Sequence, residues 1–223
     1  MTAPDYGEAF SRWRAAAPDW HAYTHHPFVE GLRLGTLPRE RFLFYLRQDY
    51  VFLIHFSRAW ALAAAKAETL AEMTAASGIL HGLVNHEMPL HVKICAEAGI
   101  DAHALEHTQE ATANLAYTRY VLEAGYSGDF LDLLAALAPC VLGYGEIGAR
   151  LAGAGGAYSD WIDTYSGVEY QGLCRDVGAL IDAALAHRFG DDWARLPRFA
   201  SLTDRFSKAT HLEVGFWQMG LDG

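Results

Sequence analysis

The sequence predicts an all-α protein, a single-domain helical bundle spanning residues 1–223, on three observations. Alanine and leucine dominate the chain, and clusters of β-branched residues are nearly absent. Apolar side chains recur at three- and four-residue spacing from end to end, the signature of amphipathic helices. No repeat, low-complexity tract or long linker divides the 223 residues, a length that one core accommodates.

The spacing places the first helix at about 5–20 and a short one at 27–34. The next runs over 38–67, where Thr36-Leu37-Pro38 caps and starts it with Pro38 in the first turn. A helix at 69–98 ends before Gly99, and one at 104–125 closes on Gly125, both at positions where C-caps are expected. The helix at 128–152 runs into the flexible break Gly153-Ala154-Gly155-Gly156, and a short helix follows at 158–165. Another spans 168–188 and stops before Gly190. Arg195-Leu196-Pro197 then opens the last one, at 198–219.

Composition excludes several classes. The 17 Lys+Arg against 27 Asp+Glu leave a formal charge of −10. Without a basic run to reverse it locally, such a surface repels phosphate backbones, so no nucleic-acid partner is expected. Cys95, Cys140 and Cys174 are an odd, widely spaced set that implies neither a disulfide framework nor a zinc ribbon. The start, Met1-Thr2-Ala3-Pro4-Asp5-Tyr6, lacks the basic and apolar regions of a signal peptide. Polar residues interrupt the most apolar windows, 51–65 and 130–149, so no membrane partner is expected and the protein reads as cytoplasmic.

A helical bundle builds its sites from side chains on facing helices, and three helices carry a reactive group on an apolar face. In Arg41 to Phe56, Asp49 shares a face with Tyr45, Phe52 and Phe56. A carboxylate among aromatic rings is costly unless bonded or paired. Asp49 is therefore either an acid held by a neighbouring tyrosine or arginine, or a ligand-binding carboxylate. In Leu137 to Gly148, Pro139 removes an i→i−4 bond and predicts a kink. Cys140 stands at that kink with Tyr144 one turn on, whereas Cys95 and Cys174 read as small buried hydrophobes. In Phe206 to Trp217, Glu213 faces the same way as Phe206, Ala209, Thr210, Phe216 and Trp217. It is either a general acid or a carboxylate paired with Arg205 or Lys208 at the edge.

Two patterns are set aside. Gly143-Tyr144-Gly145-Glu146-Ile147-Gly148 matches GxGxxG, but a dinucleotide site needs a strand before it and a helix starting at it. Here both flanks are helical, and the glycines serve close packing. His86-Glu87-Met88-Pro89-Leu90-His91 is one residue too long for HExxH, which turns its histidines about 140° apart. Glu87 and His91, four apart, still leave open a di-iron site with Asp49, Glu146, His211 and Glu213 as further candidates. The repeated Glu-x-x-His such a site wants is missing, so no metal is expected. The pairs His25/His26 and His103/His107 read as solvated.

Gln48-Asp49-Tyr50, Pro139-Cys140 followed by Tyr144-Gly145-Glu146-Ile147-Gly148, Trp161-Ile162-Asp163-Thr164-Tyr165 and Glu213-Val214-Gly215-Phe216-Trp217 occur in order along the chain. With these motifs the sequence resembles the TenA (thiaminase II) family from about residue 8 to residue 220. The resemblance implies an all-helical fold similar to haem oxygenase and a homo-oligomer, commonly a tetramer. It also implies hydrolysis without a cofactor of aminopyrimidines such as 4-amino-5-aminomethyl-2-methylpyrimidine, and of thiamin itself in thiaminase II members, for thiamin salvage. Cys140 would be the nucleophile and Glu213 the acid/base, while Asp49 would hold the amino group and ring nitrogen of the pyrimidine. Tyr117, Tyr144, Tyr165 and Phe216 would line the pocket. Phe52 stands where some members carry a tyrosine, so one hydroxyl is lost. Besides the di-iron oxidase, the competing reading is a bundle that binds a pyrimidine or tetrapyrrole without catalysis.

Overall fold

The computed structural model describes residues 4–223; Met1, Thr2 and Ala3, part of the stretch read for a signal peptide, lie outside the described residues. Among the described residues thirteen α-helices follow in order: α1 (Glu8–Ala16), α2 (Trp20–Thr24), α3 (Pro27–Leu34), α4 (Arg39–Lys66), α5 (Leu70–Gly82), α6 (Met88–Glu97), α7 (Ala102–Glu106), α8 (Thr112–Ser127), α9 (Phe130–Ala138), α10 (Tyr144–Leu151), α11 (Ser159–Ser166), α12 (Val168–Phe189) and α13 (Pro197–Asp222). A π-helical turn, Leu83–Glu87, carries α5 into α6, and a second, Pro139–Gly143, carries α9 into α10. Among the described residues there is no strand, as the all-α reading expects.

Most boundaries agree with the periodicity, and the differences have identifiable causes. The helix expected at 5–20 is two, because Ala17 is extended before Pro18 and ends α1. Pro38 precedes α4 as its cap rather than sitting inside its first turn. The helix expected at 104–125 is broken at residues 107–111. There Gln48 of α4 donates to the Gln109 carbonyl (2.9 Å) and accepts from Ala111 N–H (3.0 Å), satisfying backbone that a helix would otherwise pair. Gly125 is not a C-cap: it lies inside α8, where an added Cβ would meet Leu62 at 2.9 Å and Leu133 at 3.0 Å.

The segment 130–151 is long and apolar enough to cross a membrane by length and composition, yet 94% of its most apolar window is buried inside the protein, as in a core helix.

The chain divides into two compact units, residues up to Leu37 with Leu134–Val214, and Pro38–Leu133 with Gly215–Gly223. In the first, Trp20 stacks on Phe206 (5.5 Å between centroids) and Trp13 on Phe199 (5.9 Å), joining α1, α2 and α13 through ring contacts. Gly7 has no side chain to cap α1, so the Asp182 carboxylate of α12 accepts from the N–H groups of Glu8 and Ala9, both at 2.8 Å. Glu146 of α10 takes a forked bond from Arg14 (2.6 and 2.9 Å) and a third from Trp20 Nε1 (3.2 Å). In the second unit α4 supplies much of the core, from Phe42 and Tyr45 to Trp60 and Ala63. Asn114 of α8 donates to the carbonyl of Gln48 (2.8 Å) and to its Oε1 (3.0 Å), which fixes the helix turn next to Asp49.

Candidate active site

Cys140 lies in the π turn Pro139–Gly143 of the first unit. Proline cannot donate to the preceding turn, and at Pro139 the helix widens into a π turn. Widening leaves carbonyls to be satisfied from outside. Tyr23 donates to the Pro139 carbonyl (3.1 Å), and Tyr170 donates to that of Val141 (3.2 Å). Cys140 is thus flanked by two anchored peptide groups, at a kind of turn that recurs at functional sites. It is the least buried of the three thiols. Burial raises the pKa of Cys95, and pushes that of Cys174 up to about 12, so both stay protonated and inert.

One turn beyond, Tyr144 meets Tyr165 edge-on at 5.1 Å, and Tyr165 meets Trp161 at 4.6 Å and Tyr170 at 4.8 Å. Gln171 ties the group together by donating to the carbonyls of Gly145 and Tyr165, both at 2.9 Å. The close approach of α11 to α10 depends on Gly148, where an added Cβ would lie 2.4 Å from both the carbonyl carbon and the oxygen of Tyr165. Backbone cannot yield as a flexible side chain does. Gly148→Ala is therefore expected to destabilise the protein by about 2–3 kcal/mol and to push Tyr165 away from Tyr144. Gly172→Ala, whose Cβ meets only the end of Arg175 at 3.8 Å, should be neutral or stabilising. Parallel thermal melts of the two variants check the contrast. Glu213, on α13 in the same unit, is 1% exposed, so it is a buried carboxylate and not one at the edge.

The second unit holds Asp49, Phe52, Tyr117 and Phe216. Phe52 packs on Tyr117 (5.0 Å) and on Phe216 (5.4 Å), making one aromatic group from α4, α8 and α13. Asp49 is buried and takes two bonds, both on Oδ2: Tyr45 donates at 3.3 Å and His91 Nε2 lies at 2.7 Å. Among the described residues no group donates to Oδ1. His91 Nδ1 faces the carbonyl of Glu87 at 3.0 Å. Burial by itself favours the neutral imidazole. The bond to Asp49, its charge, the charge of Glu87 and the Glu87 carbonyl outweigh burial and raise the His91 pKa to about 9.

The other candidates are accounted for. Tyr45 as a partner of Asp49 follows from the i, i+4 spacing, whereas the sequence offers His91 only as a metal-ligand candidate. Both of its ring nitrogens face protein oxygens, and among the described residues no three His, Cys, Asp or Glu are placed to hold a metal ion. Glu146 serves Arg14 and Trp20, and His211 pairs with Asp19 at 2.9 Å on the surface. His25, His103 and His107 are exposed, but His26 is not solvated: it is buried, and its Nδ1 accepts from Phe28 N–H to cap α3.

The described helices make a haem oxygenase-like all-α fold; a domain of unknown function with that fold from Shewanella denitrificans has a TM-score of 0.60 to this chain at 14% identity, covering 98% of this chain and 92% of that one. Within that class, the model of the TENA/THI-4/PQQC family matches residues 13–223, and the chain belongs to this family. A crystal structure from Silicibacter sp. TM1040, described as a TenA family transcription regulator, has a TM-score of 0.96 and 62% identity over 98% of each chain. The aminopyrimidine aminohydrolase of Halalkalibacterium halodurans is 36% identical over 216 residues, covering 95% of this chain and 94% of that protein.

Proposed function

We propose that this protein is an aminopyrimidine aminohydrolase of the thiamin-salvage type, converting 4-amino-5-aminomethyl-2-methylpyrimidine into the 5-hydroxymethyl compound and ammonia, with thiamin as a second substrate. The observation that carries the reading is the placement of Cys140, the least buried thiol, in a widened turn whose flanking carbonyls are pinned by Tyr23 and Tyr170. The similarity to the Halalkalibacterium halodurans enzyme supports it.

Water is a poor nucleophile and an amine a poor leaving group, so a covalent route divides the barrier. Cys140, as the thiolate, adds to the ring carbon beside the aminomethyl-bearing carbon. Ring electrons then expel the amine as Glu213 delivers a proton to it. Water adds to the exocyclic carbon and gives its proton back to Glu213, and the ring expels the thiolate. Asp49 receives the amino group of the ring, and Tyr117, Tyr144, Tyr165, Phe52 and Phe216 supply flat apolar contact that orients it. No step calls on a cofactor.

A cytoplasmic homo-oligomer, with a tetramer favoured, belongs to the same proposal; exposed Leu70, Met73 and Val84 on α5 and the turn after it support association. Direct contact with DNA finds no support in 17 Lys+Arg against 27 Asp+Glu with no basic run. The test is incubation of the protein in EDTA with the aminomethylpyrimidine or with thiamin. The expected result is equimolar ammonia and hydroxymethylpyrimidine from the former; release from neither compound overturns the reading.

A further inference from the structure

The contact between Asp49 and His91 joins residues 42 apart in sequence and is buried. His91 is 3% exposed, its Nε2 is 2.7 Å from Asp49 Oδ2, and its Nδ1 is 3.0 Å from the carbonyl of Glu87. Both ring nitrogens therefore face oxygen acceptors, and an imidazole can satisfy two acceptors only by donating twice. Local structure fixes this arrangement. Pro89 follows the π turn Leu83–Glu87 as the second residue of α6, and Met88 N–H reaches back five residues to the Leu83 carbonyl. His91 then sits one turn after Glu87, where its ring meets that residue's carbonyl.

The result for Asp49 is asymmetric. Oδ2 carries both protein donors, Tyr45 and His91, while among the described residues no group donates to Oδ1. A carboxylate with one oxygen held in this way cannot flip about its terminal torsion without breaking a buried charge-assisted bond. We infer that His91 is the positioning residue of Asp49: by holding Oδ2 it presents Oδ1 alone, in one fixed direction, as the acceptor for the amino N–H of the ring. The inference rests on the proposed function, in which Asp49 meets the amino group of an aminopyrimidine. It adds that recognition of this group is set from behind, by a side chain that does not touch the ring.

The experiment compares wild type, Asp49→Asn, His91→Leu and His91→Gln as full-length proteins. It measures kcat and KM on 4-amino-5-aminomethyl-2-methylpyrimidine, and binding of the hydroxymethyl product by calorimetry. His91→Leu should raise KM and the product Kd about tenfold or more, with kcat within about threefold of wild type, because an interaction shared by ground and transition states is weakened. His91→Gln, which keeps one N–H for Oδ2, should recover most of that loss. General damage to the fold would lower kcat in both variants and show no recovery. If His91→Leu does not fold, His91→Asn replaces it, since its shorter amide cannot span to Oδ2. Folded His91 variants that keep wild-type KM and Kd, while Asp49→Asn loses binding, would overturn the inference and leave the function standing. A wild type that neither binds nor turns over the pyrimidine would overturn both. A separate readout needs no substrate: imidazole nitrogen NMR at neutral pH should show protons on both nitrogens of His91, and a singly protonated ring would contradict the geometry on which the inference stands.

Discussion

Asp49→Ala is expected to destabilise the protein by about 3 kcal/mol near neutral pH, toward the low end of what removing one member of a buried ion pair costs. The substitution strips His91 Nε2 of its acceptor inside the protein and leaves Tyr45 without its bond to Oδ2. Loss of the proton from the stranded imidazole moderates the cost. Asp49→Asn should cost less, because an amide can still answer a neutral imidazole.

The pH dependence has a definite sign. The pKa of His91 is raised by its partners from the ordinary 6.5 to about 9 in the folded protein. A raised pKa means that the folded state binds the proton more tightly than the unfolded chain. The resulting stabilisation is complete below about pH 6.5 and is lost as pH rises through 9. Urea denaturation of wild type and Asp49→Ala at intervals from pH 6 to pH 10 should therefore show a gap that is widest at the acid end and closes through the alkaline window. A gap that widens with pH would refute the assignment of charge to this pair.

Residues three and four apart were the legible part of this pair. The shared face of Tyr45 and Asp49 is a matter of helix geometry, and the bond between them follows. His91 was visible only as a failed half of HExxH, because its partner lies on another helix and nothing local announces the contact. The irregularity at Pro139 was equally plain in the sequence, since proline cannot continue the bond ladder. Its resolution as a π turn was not, because the hydroxyls that donate to the freed carbonyls, those of Tyr23 and Tyr170, are brought there by the fold. The break at residues 107–111 escaped for the same reason: Gln48 satisfies its backbone from α4. The sequence suggests a cap at Gly125 because a glycine late in an apolar run looks alike whether it ends a helix or admits Leu62 and Leu133. Periodicity and punctuation thus carried the helices, while long-range polar bonds decided where they bend and stop.

The larger effect on activity falls at Cys140. In the proposed route the thiolate is the only group that forms a bond to the ring, so its removal eliminates the covalent path rather than weakening it. Cys140→Ala is expected to lower kcat by about 10³-fold or more, the scale seen when a nucleophile is deleted from an otherwise intact site. Ring binding should survive, because Asp49, Phe52, Tyr117 and Phe216 belong to the other unit and keep their contacts. The loss should therefore appear in kcat with the product Kd within about threefold of wild type. Cys174→Ala is the matched control: that thiol is buried, held protonated, and lies against the Val141 carbonyl, so its loss should affect stability before activity.

The most direct measurement is the side-by-side release of ammonia and hydroxymethylpyrimidine from 4-amino-5-aminomethyl-2-methylpyrimidine by wild type and Cys140→Ala, in EDTA, with product binding recorded for both. Metal-independent turnover by wild type, lost in a variant that still binds the product, is the predicted result. Turnover that persists in Cys140→Ala, or that disappears from wild type in EDTA, would contradict the account.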